Sequence, residues 1–287
     1  MTLWLIAPQL VLLVTSLVIL IADIWMSRRN RYGWARSVAL LGVLGAGITT
    51  SLLRECDQTV MHVLQIDAFT CYGWMLILMA LGVLVILSER YLSAHVQERG
   101  FFYSLLILCG LAAFFVVASV NLVILVLALD FLSIISYILT GFFHEDQRST
   151  EAAIKYLIYG AVLSALMMYG FFCLYGIFAT TDFRELSDAL WNLQTVDNSM
   201  KTSVLFPLLI LIIAGLGLKI ALVPFHQWAP DAYEGAPTAV TAFLAVIPKV
   251  AGFSALIRIT MMVFPSHLIL GQILRSPILL VLSAFTM

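Results

Sequence analysis

Residues 214–249 read AGLGLKIALVPFHQWAPDAYEGAPTAVTAFLAVIPK. The stretch opens as an apolar helix, reaches Lys219 just after Gly215 and Gly217, and then meets Pro224, Pro230 and Pro237 with Gly235 between them. A proline inside a helix removes a backbone hydrogen bond and clashes with the preceding turn. The segment is therefore expected to break beside its lysine, near the middle or lower half of a membrane. Irregular backbone at that depth is tolerated only where protein or water surrounds it. Transporters use such broken helices because the freed dipole ends hold ions near the midplane. Pro248, directly before Lys249, predicts a kink at a second charge.

The rest of the chain agrees that the solvent is oil. Of 287 residues, 62% are hydrophobic and 11% charged, whereas soluble domains run near 45–50% and about 25%. A water-soluble globule, a disordered chain and a disulfide mini-scaffold are excluded together. With 15 Lys+Arg against 16 Asp+Glu the net charge is −1, which gives no footprint for nucleic acid. Cys56, Cys71, Cys109 and Cys173 show no CxxC spacing and read as small apolar fillers. Cys56 and Cys71 fall near one membrane face, which leaves a disulfide open there.

Apolar stretches near 3–26, 37–53, 68–91, 101–119, 121–143, 151–178, 203–223 and 237–263 predict spans, with a ninth beginning near 276. About 20 apolar residues cross about 30 Å of hydrocarbon as a helix. Helices are required, since an open strand edge cannot sit in lipid and the alternation of barrel strands is missing. The first span lacks preceding basic residues and is too long for a cleaved signal. Arg28, Arg29, Arg31, Arg36, Arg90, Arg99 and Arg148 fall in one set of loops; Arg54, Arg184, Lys201 and Arg275 fall in the other. The positive-inside bias places the N-terminus on the outer face of the cell (inner) membrane. Between the spans, Asp182 with Glu185 three positions on predicts a capped amphipathic helix through Phe183, Leu186, Leu190 and Leu193. Ser149 or Thr150 is expected to cap the sixth span.

Once loops and span ends are set aside, few ionisable groups remain. Asp130 lies midway along the fifth span, Lys155 one turn into the sixth, Lys219 deep in the seventh and Lys249 near the centre of the eighth. His226 follows Lys219 by seven residues. A charge at the bilayer centre costs roughly 2.5–3.5 kcal/mol on insertion scales, so Asp130, Lys219 and Lys249 together represent about 8–10 kcal/mol. Such groups are expected to face the interior, pair, or line a hydrated path. Groups that exchange partners and protons are what a relay requires. A bland alternative stands beside this: buried pairs also serve only to register helices, and Lys155 has the length to snorkel. Asp23 and Asp67 read as interfacial, and Arg258 as a second snorkelling residue.

Three stretches carry a resemblance: LALDFLSIISYILTGF, STEAAIKYLIYGAVLSALMMYG, and AGLGLKIALVPFHQWAPDAYEGAPTAVTAFLAVIPKVAGFSALIR. Together the sequence resembles NADH-quinone oxidoreductase subunit N, an antiporter-like membrane subunit of respiratory complex I. The likeness covers about residues 100–287 and, more loosely, the first three spans. It implies an all-α polytopic bundle of about nine transmembrane helices, arranged as inverted five-helix repeats, each with a broken helix. Residues 1–100 would hold three leading helices, 101–265 the first repeat and 266–287 the start of a second, incomplete one. The resemblance also implies a buried acid on helix 5 paired with a lysine on helix 7, with further basic groups leading toward a neighbouring subunit. These match Asp130, Lys219 and Lys249, accompanied by Lys155 and His226, as a proton relay. No cofactor is implied in this chain. NADH, FMN, iron–sulfur clusters and quinone belong to partner subunits, and the other implied partners are neighbouring membrane subunits and the lipid bilayer. The family usually has Glu where this chain has Asp130, which predicts a longer reach to Lys219 or a water bridge. The second broken helix and its lysine are expected to come from a continuation of the polypeptide or from another chain. The alternatives are a subunit of a multi-chain sodium/proton antiporter and a scaffold that does not pump.

Overall fold

The computed structural model describes residues 2–25, 33–95, 99–196, 199–265, 284 and 286. The ninth span and Arg28, Arg29, Arg31 and Arg275 lie outside them. The elements run α1 (Thr2–Leu5), α2 (Ala7–Trp25), α3 (Trp34–Leu52), β1 (Gln58–Val60), β2 (Leu64–Ile66), α4 (Ala68–His95), α5 (Arg99–Ala118) and α6 (Leu122–Thr140). They continue with α7 (Gln147–Phe178), α8 (Phe183–Val196), α9 (Ser199–Lys219), α10 (Trp228–Gly235) and α11 (Thr238–Arg258), the last extended by a π-helical turn over Ile259–Val263. Among the described residues, 7 helices are long and apolar enough to cross a membrane. The span expected over 203–223 is not one of them. Its helix stops at Lys219, and its apolar part is the shorter Leu205–Lys219.

The helix without a polar face lies at the centre. In α5 nearly every side chain from Phe102 to Ala118 is buried, and α2, α4, α6 and α11 surround it. Ala112, Ala113 and Gly110 keep that helix thin enough for neighbours on several sides. Trp74 of α4 stacks on Phe114 at 4.9 Å between ring centres and donates its Nε1–H to the Phe114 carbonyl at 3.0 Å. Buried indoles need such a partner. By contrast α3 and α7 bury only one stripe each and leave Leu41, Leu44, Ile48, Ile158, Val162, Tyr169 and Phe172 on the surface. In oil that exposure carries no penalty.

One end of the bundle carries a feature that the apolar reading missed. β1 and β2 form an antiparallel hairpin with Thr59 opposite Gln65, turning through Met61 and His62, both with positive φ. The hairpin continues sideways. Leu64 bridges to Ser119 and Asn121 bridges to Asp182, while the Leu122 N–H donates to the Thr181 carbonyl at 2.9 Å and the Phe183 N–H to the Val120 carbonyl at 3.0 Å. The periodicity of three-residue strands is too short to register in a sequence.

Several local expectations are corrected. α7 begins at Gln147, one turn early, because Asp146 caps it by accepting from the Arg148 N–H. Ser149 instead donates to the Thr140 carbonyl at 2.7 Å and closes the turn from α6. Asp182 does cap α8, accepting from the Arg184 and Glu185 N–H groups at 2.8 and 3.3 Å. Glu185 does not return the bond to Asp182; it accepts from the Thr180 hydroxyl at 2.5 Å. Asp23, near the end of α2, is buried against Gly100. All four cysteines are free, so the Cys56–Cys71 disulfide left open above is not formed.

Candidate functional site

In α6, Asn121 caps the helix through Oδ1 and the Val123 N–H. Asp130, Ser133 and Tyr137 then recur at spacings of three and four, which sets them on one face. α7 packs beside it and contributes Ser164. α9 runs down to Lys219 and stops there. The Lys219 side chain is 4% exposed. Its ammonium donates to the Ser133 hydroxyl and, at 3.2 Å, to the Ser164 hydroxyl. Ser133 spends its own proton on the Leu129 carbonyl at 2.6 Å, so its oxygen lone pairs are left to receive the lysine.

Asp130 is not in an ion pair with Lys219. Its charge acts on the lysine through space, and Ser133 sits one turn further along in contact with Nζ. The carboxylate is half-buried and looks into a cavity of about 380 Å³, walled by Val126, Leu127, Met168, Phe171 and Phe172 among others. The shorter aspartate predicted a longer reach to Lys219 or a water bridge, and in the structure the Ser133 hydroxyl takes the contact with Nζ.

The chain leaves helical form directly after Lys219. Ala221 takes a left-handed φ of 55°, the Leu222 N–H returns to the Gly217 carbonyl at 2.7 Å, and the Phe225 N–H bonds the Leu222 carbonyl at 2.6 Å. The break therefore begins before Pro224, the first proline after Lys219. Trp228 then opens α10 and donates its Nε1–H to the Leu218 carbonyl at 3.0 Å, satisfying an acceptor that the broken helix leaves open. α11 continues as one helix through Pro248 and touches the break where Gly252 faces Ile220 and Lys219.

The other expected residues are not gathered around Lys219. Lys155 lies at the end of the molecule where α7 begins, 41% exposed, paired with Glu151 at 2.8 Å and Asp231 at 3.2 Å. Arg148, Glu234 and Gly235 complete an open cavity of about 270 Å³ there. Lys249 is half-buried with Nζ 5.5 Å from the centre of the Tyr233 ring. His226 is exposed, within the turns that follow Lys219.

Arg258 is a further correction. It does not snorkel: only 4% exposed, it donates Nε–H to the Val117 carbonyl at 2.7 Å, bonds Asp67 at 2.9 and 3.3 Å, and reaches Thr70 at 2.5 Å. Burial raises the Asp67 carboxyl, but the Thr70 N–H, the Arg258 charge and the side-chain bonds of both residues outweigh it and hold the group below its ordinary range. Sequence reasoning also missed Ser133 and Ser164. The available signal was a hydroxyl three positions after the only acid in the fifth span.

A profile of the family described as NADH:quinone oxidoreductase/Mrp antiporter, transmembrane region, matches residues 119–287. The chain belongs to that family. It is 34% identical over 266 residues to NADH-quinone oxidoreductase subunit N 1 of Koribacter versatilis, covering 88% of this chain and 51% of that one. It is 37% identical over 265 residues to NAD(P)H-quinone oxidoreductase subunit 2 of Thermosynechococcus vestitus, covering 91% and 50%. Among solved structures, a chain of respiratory complex I from Thermus thermophilus with bound aureothin superposes with a TM-score of 0.72 at 25% identity, over 88% of this chain and 53% of that one. The archaeal membrane-bound sulfane sulfur reductase shares the fold, with a TM-score of 0.82 over 99% of this chain and 58% of that one. The chain thus spans about half the length of the curated relatives it matches.

Proposed function

We propose that this member of the antiporter-like family is a proton-translocating membrane subunit of an NADH-quinone oxidoreductase. In this reading quinone reduction elsewhere in the complex drives protons through Asp130, Lys219 and Lys249, with Lys155 and His226 as accompanying groups. The chain performs no redox step. NADH, FMN, iron–sulfur clusters and quinone are held by partner subunits, and the neighbouring membrane subunits dock along the bilayer, with the N-terminus on the outer face.

One observation carries the proposal: the Lys219 ammonium, buried where α9 breaks, held by two neutral hydroxyls and under the charge of Asp130. Neutral acceptors hold an ammonium less firmly than a bonded carboxylate, so the proton is not locked in place. Gaining and losing that proton changes the charge beside a backbone break, where freed carbonyls respond to it. Replacing Lys219 with Ala is expected to abolish the proton movement assigned to this subunit while the complex still assembles. Undiminished pumping in vesicles carrying that variant overturns the reading.

The family's description names an Mrp antiporter as well, which supports a second reading: a subunit of a multi-chain sodium/proton antiporter with no redox partner. Co-purification with flavin and iron–sulfur subunits favours the first; sodium exchange driven by a pH gradient alone favours the second.

A further inference from the structure

The cavity of about 380 Å³ in front of Asp130 has a shape and a polarity of its own. α6 and α7 run antiparallel, tied at the hairpin end by the bond from the Leu122 N–H to the Thr181 carbonyl. The cavity follows them from Leu122 and Thr181 to Asp130 in the middle of α6. From Leu122 to Asp130 is about 12 Å at the helical rise of ~1.5 Å. Val126 and Phe171 are buried and form its floor. Val123, Leu127, Phe172 and Tyr175 are exposed and form its rim, so it opens sideways into the hydrocarbon. Its volume lies within the ~300–1,000 Å³ of small-molecule sites, which are mainly apolar with a few polar groups that fix orientation. Here the charged group is a carboxylate at the deep end.

That carboxylate is unmet. Lys219 bonds Ser133 and Ser164, Lys155 pairs with Glu151 and Asp231, and Arg258 pairs with Asp67. Among the described residues no hydrogen bond or ion pair reaches Asp130. The cavity therefore suits a cation. A metal ion is a poor match, since no group of three or more His, Cys, Asp or Glu side chains gathers among the described residues. A bilayer lipid is a poor match because its order is reversed: with its head at the surface, it would lay the end of an acyl chain against a carboxylate. We propose that the cavity binds a lipophilic amine, its nitrogen paired with Asp130 and its apolar body lying over Val126 and Phe171 toward Thr181. The ligand reaches the rim dissolved in the bilayer and enters between Leu127 and Phe172. Amine and carboxyl hold one proton between them, so a neutral amine meeting the acid and an ammonium meeting the carboxylate give the same pair. The charge-assisted N–H···O bond is strong in a site of low dielectric. Binding here does not depend on whether Lys219 carries protons.

The test uses decylamine with a photoreactive diazirine at its tail, equilibrated with the assembled complex in lipid nanodiscs, photolysed and mapped by peptide mass spectrometry. Labels are expected on α6 near Val123 and on α7 near Tyr175, where the tail ends. Excess decylamine is expected to remove them, whereas decanol, equal in length but without the charge, is expected to leave them. Asp130→Asn is nearly isosteric and is expected to raise the competing concentration about tenfold or more, the loss of one bond to a charged group. Leu127→Trp fills the mouth from an exposed position and is expected to remove the labels. Equal competition by decanol overturns the proposal and makes the cavity a bed for lipid chains. Labels found only elsewhere, or competition left unchanged by Asp130→Asn, overturn it as well. Should Asp130→Asn fail to assemble, the decanol comparison in the parent and the labelling of Leu127→Trp decide the matter. Every readout is binding, so this inference and the reading of Lys219 fail separately.

Discussion

The ammonium of Lys219 rests on the hydroxyl of Ser133, one turn past Asp130 on the same face of α6. The serine stands where the shorter acid does not reach. A buried lysine bonded to a carboxylate would be pinned as an ammonium. Bonded to hydroxyls, it keeps its position and remains free to exchange its proton.

Removing both hydroxyls should therefore strand the charge. Ser133→Ala with Ser164→Ala is expected to cost about 1.5–3 kcal/mol through the unmet donors of Lys219 and to depress proton uptake more than either single change. Thermal unfolding of the purified complex and dye-monitored uptake in vesicles check the two parts. Additive, negligible effects would show that Lys219 finds other partners.

Lengthening the acid should close the gap. Asp130→Glu adds one methylene toward Lys219 and is expected to retain uptake, whereas Asp130→Asn removes the charge and is expected to lose it. Asp130→Asn isolates charge, since Asp and Asn are nearly isosteric, and Asp130→Glu isolates length, since the charge is kept. Uptake rates in the same vesicles decide it.

The Arg258 clasp is a stability element with a definite pH window. Arg258→Met leaves a half-buried Asp67 and an open Val117 carbonyl, and is expected to cost about 3 kcal/mol, the low end for removing one partner of a buried pair. The folded Asp67 carboxyl lies below its ordinary value of 3.8. Its contribution is therefore complete above that value and is lost as pH falls through the lower, folded one. The difference in unfolding temperature between parent and variant should stay flat from about pH 5 to 8 and shrink below about pH 4.

Gly235 is the close contact that seats α10 on α7. A Cβ there would lie 2.6 Å from the Arg148 carbonyl oxygen and 2.5 Å from the Ala152 Cβ. Since a backbone atom cannot swing aside, Gly235→Ala is expected to lift α10 and cost about 1–3 kcal/mol. Lys155 should then lose Asp231 and keep Glu151, which lies on its own helix. Cross-linking between cysteines placed at 155 and 231 reads the separation directly.

The spans were legible because apolar length is a property of composition, and the break after Lys219 because Gly and Pro report on backbone. The depth of Lys219 was legible for the same reason: nothing near it in sequence offers water. What resisted reading was partnership across helices. Ser133 and Ser164 are 31 positions apart in the chain, and a serine in oil is unremarkable until a lysine is found against it. Arg258 misled because its reach fits snorkelling as well as burial. Only the fold brings Asp67, 191 positions away, into its path. The hairpin escaped because three-residue strands carry no period worth the name.

That hairpin has a mechanical consequence. At its end of the bundle, backbone bonds run crosswise from β2 to Ser119, from Asn121 to Asp182 and from Val120 to Phe183, and Arg258 rivets α11 to the start of α4 and the end of α5. At the opposite end, among the described residues, α7 and α10 meet through the Tyr156–Trp228 stack, the close approach of Gly235 and the Lys155–Asp231 pair. A lever pinned at one extremity swings at the other. Any tilt of α7 or α10 is therefore expected to pivot near Thr181 and to grow toward Glu151, where the Lys155–Asp231 pair lies open.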